Sequence, residues 1–400
     1  MGWNELPSAE RIHIGFFGRV NVGKSSLVNA VTGQQLALVS EKKGTTTDPV
    51  KKAMELLPLG PVVITDTAGL DDDSSLGQLR MEKTKEVLHK IHIGILVLDA
   101  LVGKTATEEQ LIELFRQSKT PYLLAYNKSD LLEDKERTAR EEEKDESKIY
   151  VSAKTGENIC ELKEKIGRLT KLSVKEKQLI GDLLNPSDRV VLVIPIDKAA
   201  PKGRLILPQQ QTIREVLDYG CKAVVCRDTE LEETLQEFKD KPALVITDSQ
   251  VFEKVSKIVP EDVLLTSFSI LFARYKGNLK KLVEGAGTLN KLQEGDRLLI
   301  SEGCTHHRQC GDIGTQKLPA WIHEYTGKEL QFSFTSGGEF PADLTSYALI
   351  IHCGGCMLNE KEMQYRLKAA GEQNIPITNY GTAIAQMKGI LKRSLLPFSL

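Results

Sequence analysis
Gly18-Arg19-Val20-Asn21-Val22-Gly23-Lys24-Ser25 follows an apolar run (Ile12, Ile14, Phe16, Phe17) and opens a helical pattern (Leu27, Val28, Ala30, Val31). A strand, a glycine-rich loop and a helix beginning Lys-Ser form a phosphate-binding arrangement. Backbone N–H groups and the helix N-terminus surround a β-phosphate, and the lysine charge spans the β- and γ-oxygens. Gly18, Asn21, Val22, Gly23, Lys24, Ser25 and Ser26 are therefore expected to line a nucleotide's phosphates, with the Ser25 hydroxyl on Mg²⁺.

Such a site needs further parts downstream, and they follow in order. The polar segment 41–49 offers threonines that complete a Mg²⁺ shell when a γ-phosphate is present; Thr46 and Thr47 are the better candidates. A short apolar strand at 61–65 ends at Asp66-Thr67-Ala68-Gly69, where Asp66 reaches Mg²⁺ through water and the Gly69 N–H senses the γ-phosphate. A buried strand at 93–98 ends at Asp99; another, at 122–125, delivers Asn127-Lys128-Ser129-Asp130; Tyr150-Val151 leads into Ser152-Ala153-Lys154.

These last two stretches select the base. A carboxylate at Asp130 accepts the N1–H and exocyclic amine of guanine, whereas adenine leaves that acceptor unpaired at roughly 1–3 kcal/mol. Asn127 and Lys128 brace the loop and the purine face, and the Ala153 N–H reaches the guanine oxygen. GTP and GDP are the expected ligands. Asn21, Lys24, Thr46, Thr47, Asp66 and Gly69 are the expected hydrolytic set. The motifs fall at the C-terminal ends of strands, where doubly wound sheets hold ligands.

Four hundred residues at 40% apolar content suffice for several cores, and a net charge of −2 points to no polyanionic partner. No run of about 18 apolar residues and no signal-peptide layout occurs. A cytoplasmic protein without membrane or nucleic-acid partners is expected. Seven cysteines in such a chain read as metal ligands or redox groups rather than disulfides. The charged run 133–148 reads as a solvated helix.

Alternating apolar strands and amphipathic helices continue to the end, so the expected fold class is α/β with three consecutive domains. These are a P-loop domain at 1–172 and two small parallel-sheet domains at 173–270 and 271–400. The middle one carries no motif for chemistry; Cys221 and Cys226 read as buried residues. Its segment 189–196 is the expected edge strand, through which two copies pair as a homodimer.

In the last domain the cysteines fall at strand ends. Cys304 and His306 follow the strand at 297–301, and His352-Cys353-Gly354-Gly355-Cys356 follows the strand at 347–351. If both strands run parallel in one sheet, Cys304, Cys353 and Cys356 converge at one rim. The glycines let the backbone wrap a metal closely. Three thiolates with imidazoles suit either tetrahedral Zn²⁺ or an iron–sulfur cluster.

Leu70 stands after Gly69, where Ras-like switches place a water-orienting glutamine. The domain resembles the GTPases of the TrmE and Era type, in which a phosphate-loop asparagine, here Asn21, helps bind a potassium ion at the transition state. A Cys-x-His stretch followed by His-Cys-x-x-Cys, downstream of such a domain and a small α/β domain, resembles the HydF family of FeFe-hydrogenase maturation. The resemblance covers essentially the whole chain. It implies a dimerising middle domain and a 4Fe-4S cluster on Cys304, Cys353 and Cys356, with an exchangeable fourth ligand for which His352 and His306 are candidates. It also implies a diiron precursor made with radical SAM maturases and passed to apo FeFe-hydrogenase, with GTP turnover modulating partner association. Cys310 lies outside the motif. The rival reading is an RNA-associated GTPase of ribosome assembly or tRNA modification with a structural zinc site; the last 230 residues show no basic stripe with interleaved aromatics. The Asn21 assignment predicts slow GTP turnover that is faster in potassium than in sodium, and equal initial rates in the two salts would remove Asn21 from that role.

Overall fold
Apolar segments at 12–17, 60–66, 93–99, 122–127 and 148–150 set the first sheet. In the computed structural model, which describes residues 7–34, 49–70, 75–133, 145–173, 177–196, 205–303 and 312–398, they are joined by one further strand. In order they are β1 (Ile12–Phe17), β2 (Val50–Leu56), β3 (Gly60–Asp66), β4 (Ile93–Asp99), β5 (Tyr122–Asn127) and β6 (Lys148–Tyr150). The sheet order is β2-β3-β1-β4-β5-β6, parallel except for β2, which runs antiparallel to β3. Helices α1 (Lys24–Thr32), α2 (Ser75–Leu88) and α3 (Ala106–Gln117) lie between the strands, and α4 (Ile159–Ser173) follows the last of them. The largely apolar β1 and β4 are buried on both faces, as a parallel sheet covered by helices requires. Strand β2 was not foreseen: its residues are mostly exposed, so it carries no buried pattern to read.

The chain divides into two compact units, Met1–Glu176 and Lys177–Leu400. The second unit holds two four-stranded parallel sheets. The first contains β7 (Arg189–Val193), β8 (Lys222–Cys226), β9 (Leu244–Thr247) and β10 (Leu264–Ser267), with α5 (Leu207–Asp218), α6 (Leu231–Gln236) and α7 (Phe252–Ile258) between them. Its order is β10-β9-β7-β8. The segment expected at the edge is therefore internal: β7 ends at Val193, and Val190 to Val193 are wholly buried between two neighbours. The edges are β10 and β8, the latter half-exposed along its length.

Helix α8 (Phe268–Lys276) follows β10 directly, and the division expected at residue 270 falls inside it. Phe268, Ile270, Leu271, Phe272 and Ala273 are all buried, so its pattern is a continuous apolar run rather than an amphipathic stripe. Ile270 and Ala273 share one core with Val191 and Val245 of the first sheet and Leu299, Ile350 and Ile377 of the second. Each valine, leucine or isoleucine among them contributes about 1.5–3 kcal/mol by leaving water.

The second sheet of this unit is β12-β11-β13-β14, from β11 (Arg297–Ser301), β12 (Gln331–Thr335), β13 (Leu349–His352) and β14 (Ile377–Asn379). It is covered by α9 (Leu279–Ala286), α10 (Leu318–Thr326), α11 (Glu360–Glu372) and α12 (Tyr380–Met387), while α13 (Leu391–Leu395) packs on β10 of the first sheet. Strands β11 and β13 are adjacent and parallel, with Ser301 opposite His352, as the cysteine argument requires. No helix among the described residues is long and apolar enough to cross a membrane.

Helix α9 touches β14 so closely that a Cβ on Gly285 would lie 2.0 Å from the Ile377 carbonyl oxygen. Backbone cannot move aside as a side-chain tip can, so Gly285→Ala should cost roughly 1–3 kcal/mol. Its urea midpoint should fall with an unchanged slope; a wild-type midpoint would refute this account of the α9–β14 contact.

Candidate functional site
The first unit gathers its motifs at the C-terminal rim of the sheet. Gly18 ends the strand with φ +143, and a Cβ there would meet the Val97 carbonyl oxygen at 2.3 Å. Gly23, at φ +87, caps α1, and a Cβ there would meet the Asn127 side chain at 2.3 Å. The tightness has a purpose: Asn127 Nδ2 donates to the Val22 carbonyl at 3.0 Å, while its Oδ1 accepts the Ala153 N–H at 3.0 Å. One buried side chain thus joins the phosphate loop to the base loop.

Lys24 is buried at the start of α1, its Nζ donating to the Arg19 carbonyl at 3.0 Å. Ser25 Oγ donates to Asp66 Oδ2 at 2.7 Å. The other carboxylate oxygen of Asp66 is buried and has no hydrogen-bond partner. Burial raises the Asp66 carboxyl above its ordinary value, against the lowering effects of Ser25 and Lys24. A buried carboxylate oxygen left unpaired beside a serine hydroxyl suits a hard divalent cation and its waters. These two residues are the ones that would hold Mg²⁺.

Gly69 packs against Val20, and Leu70 N–H donates to the Gly18 carbonyl at 3.2 Å, so the segment expected to sense the γ-phosphate lies against the loop. Arg80, buried on α2, donates to the Gly69 carbonyl at 3.1 Å. Asn21, at φ +65, is exposed at the tip of the loop, and Ser26 is half-buried in α1. At the base end, Ser152 Oγ donates to Asp130 Oδ1 at 2.7 Å, fixing the carboxylate expected to accept from guanine. Lys154 is exposed. Lys128 Nζ pairs with Asp99 Oδ2 at 2.6 Å. Burial pushes Asp99 up, but hydrogen bonds from Lys128 and the Leu101 and Val102 N–H groups outweigh it, and the carboxyl sits below its usual value. Thr46 and Thr47 lie outside the described residues.

Two partners in this unit carry no motif. Arg19 Nε donates to the buried Glu108 carboxylate at 2.6 Å, and the same Glu108 caps α3 by accepting the Thr105 N–H. Nothing in the spacing between positions 19 and 108 marks them as partners.

In the second unit the chain crosses from β11 to the cysteine turn through sulfur. Gly303 N–H donates to Cys353 Sγ at 3.0 Å, and Gly355 N–H approaches the same sulfur at 3.4 Å. Cys353 N–H donates to the Ser301 carbonyl at 3.0 Å. Neither Cys353 nor Cys356 is in a disulfide. Gly303 has no room for a side chain, since a Cβ would meet Leu358 at 2.7 Å. Amide N–H bonds to sulfur favour a thiolate, and soft thiolates in a glycine turn fit the donor chemistry of an iron–sulfur cluster. Cys304, His306 and Cys310 lie outside the described residues; among those described, no three His, Cys, Asp or Glu side chains converge for a metal.

His352 is used differently from the expectation. It is wholly buried, with Nδ1 at 2.9 Å from the Cys353 carbonyl and Nε2 at 2.9 Å from Arg366 Nη1. Arg366 can only donate, so Nε2 is the acceptor and Nδ1 carries the proton. Both ring nitrogens are occupied, which leaves no lone pair for iron. Burial, then the Arg366 charge, push the imidazole down to about 3. Tyr380 donates to Glu302 Oε1 at 3.0 Å beside the same rim, its hydroxyl pushed up first by burial and then by the charge of Cys353.

The family model "Hydrogen maturase F tetramerization domain" matches residues 280–397, "Hydrogen maturase F dimerization domain" matches 179–277, and "50S ribosome-binding GTPase" matches 13–128. The tRNA modification GTPase MnmE of Nitrosospira multiformis is 35% identical over 156 residues, 39% of this chain and 34% of the relative. GTPase Der of Nitratidesulfovibrio vulgaris is 36% identical over 180 residues, 40% of this chain and 36% of the relative. The chain thus spans about a third of the length of these relatives. Among solved structures, Aquifex aeolicus Era bound to GDP and aluminium fluoride covers 54% of this chain and 93% of its own, at 18% identity and a TM-score of 0.36.

The arrangement at Asp130 predicts the effect of removing it. Asp130→Ala should weaken guanine-nucleotide binding by about 1–3 kcal/mol, roughly 5- to 150-fold in Kd, with adenine-nucleotide binding unchanged. Fluorescent-nucleotide titration measures both; an equal loss for the two bases would assign Asp130 to loop folding instead.

Proposed function
The chain belongs to the hydrogen maturase F family, and from that premise we propose that it is a GTP-hydrolysing maturation factor for FeFe-hydrogenase. It binds a 4Fe-4S cluster through Cys304, Cys353 and Cys356 and passes a diiron precursor to the apo-hydrogenase. The observation that carries this reading is the parallel pairing of β11 with β13, which sets the Gly303 N–H, one residue before Cys304, at 3.0 Å from the Cys353 sulfur. When bound, the cluster supplies an iron position outside the three thiolates, where a guest can be held and released.

In the nucleotide site Lys24 spans the phosphate oxygens, Ser25 and Asp66 hold Mg²⁺, and Asn21 contributes to a potassium site whose charge replaces a catalytic glutamine. Thr46 and Thr47 complete the Mg²⁺ shell, and Ser152, Ala153 and Lys154 enclose the base with Asn127, Lys128 and Asp130. His306 remains a candidate for the fourth iron, whereas His352 orients the turn from beneath. The precursor comes from radical SAM maturases, and GTP turnover modulates partner association. The protein acts in the cytoplasm as a homodimer, and the half-exposed edge strand β8 is the strand that offers its backbone to a second copy.

Anaerobic reconstitution with iron and sulfide tests this reading. The wild type should turn brown, and Cys304→Ser, Cys353→Ser and Cys356→Ser should lose the chromophore while hydrolysing GTP at near wild-type rates. Lys24→Ala should do the reverse. Tight zinc binding without any chromophore would replace the carrier reading with the zinc-site alternative.

A further inference from the structure
A wholly buried glutamate on α3 holds the phosphate loop. Glu108 Oε1 accepts from Arg19 Nε at 2.6 Å, and Oε2 accepts from the Thr105 N–H at 2.9 Å. Arg19 in turn reaches two parts of the nucleotide site through its backbone. Its carbonyl accepts from Lys24 Nζ at 3.0 Å, and the residue forms a parallel bridge with Leu70, the neighbour of Gly69. The fit there is close: a Cβ on Gly69 would lie 2.9 Å from the backbone nitrogen of Val20. Arg19 and Val20 are only half-buried and Asn21 is exposed, so burial alone does little to fix this end of the loop.

Helix capping explains only one oxygen of Glu108. A glutamine at the same position of a capping box reaches the N-cap N–H as a glutamate does. The other oxygen decides between them. Both oxygens face donors, and an amide would turn its NH₂ group towards one of the two. Burying a carboxylate is costly unless it is paired, and Arg19 supplies the paired charge. The carboxylate is therefore suited to fastening α3 to the phosphate loop as well as to capping its own helix.

This inference rests on the nucleotide-site reading above: we propose that Glu108 is a positioning residue for GTP hydrolysis, acting through Arg19 to hold residues 19 and 20 where they set both Lys24 and the Gly69-Leu70 segment. Lys24 serves the phosphates of GDP and GTP alike, whereas the Gly69 N–H serves the γ-phosphate only. Releasing the tether therefore weakens GTP more than GDP and slows turnover.

Two variants cut the tether from its two ends. Arg19→Met keeps the length of the side chain and removes its donor; Glu108→Gln keeps an acceptor for the cap and sets an amide against one donor. Both, and the double variant, are checked for fold by circular dichroism and thermal melting. They are then assayed for kcat and for the Kd of GDP and of a non-hydrolysable GTP analogue. The expected result is a kcat lower by about 10- to 100-fold in Arg19→Met, with a larger rise in Kd for the analogue than for GDP. The double variant should lose no more than the worse single one, since the two side chains act as one unit. A lower melting temperature with wild-type kcat and a wild-type ratio of the two Kd values assigns the pair to folding alone and overturns the inference. If Arg19→Met does not fold, Glu108→Gln is judged by the same two readouts. A wild type that hydrolyses no GTP fails the reading on which the inference rests, and that result needs no variant.

Discussion
Parallel strand pairing decides where chemistry can occur in this molecule, because every strand of a parallel sheet delivers its last residue to the same rim. In the first unit that rim receives the phosphate loop, Asp66, Asp99, Asn127 and the Ser152 turn from five strand ends. In the second it receives Glu302 and Cys353 from the adjacent β11 and β13. Neither site has a continuous stretch of chain that would be functional alone. The hydrogen bonds of Asn127 in one and of Cys353 Sγ in the other are the stitches across strand ends.

Under the cysteine rim those strand ends are bound by a single guanidinium. Arg366, wholly buried on α11, donates to Ser301 Oγ at 3.0 Å, His352 Nε2 at 2.9 Å, the Gly337 carbonyl at 2.7 Å and Glu362 Oε1 at 3.0 Å. A rigid fork of donors suits this task, and Glu362 offsets its charge, as a buried guanidinium requires. Thr335 Oγ1 adds the edge strand through Ser301 at 3.0 Å. The imidazole between Arg366 and Cys353 is thereby locked as a neutral spacer, which sets the cysteine's backbone carbonyl in place.

Much of this was legible in the sequence, for identifiable reasons. Phosphate and guanine recognition demand particular residues at particular spacings, so Lys24, Ser25, Asp66, Asn127 and Asp130 announce themselves. The strand ends that carry cysteines were legible through apolar runs bounded by polar turns, and 297–301 matches β11 in full. What was not legible depends on tertiary partners. Strand β2 gives no buried pattern because it is an exposed edge, and α8 gives no stripe because it is enclosed on nearly all sides. The place of β7 inside its sheet follows from strand order, which the run Val190 to Val193 does not encode. Lys276, Arg366 and Glu108 read as ordinary surface charges until folding buries them. His352 reads as a ligand because it adjoins Cys353, and only the partner from α11 reveals its other use.

Helix α8 starts where one sheet's last strand stops, passes through a core common to both sheets of its unit, and ends beneath the other sheet's cysteine turn. Such a rod couples the pair mechanically. Heat should dismantle the two sheets in one calorimetric step rather than two, although family comparison divides them at about the end of this helix. Evolution could therefore shuffle the guanine-nucleotide module as a cassette far more readily than it could trade either of these sheets by itself.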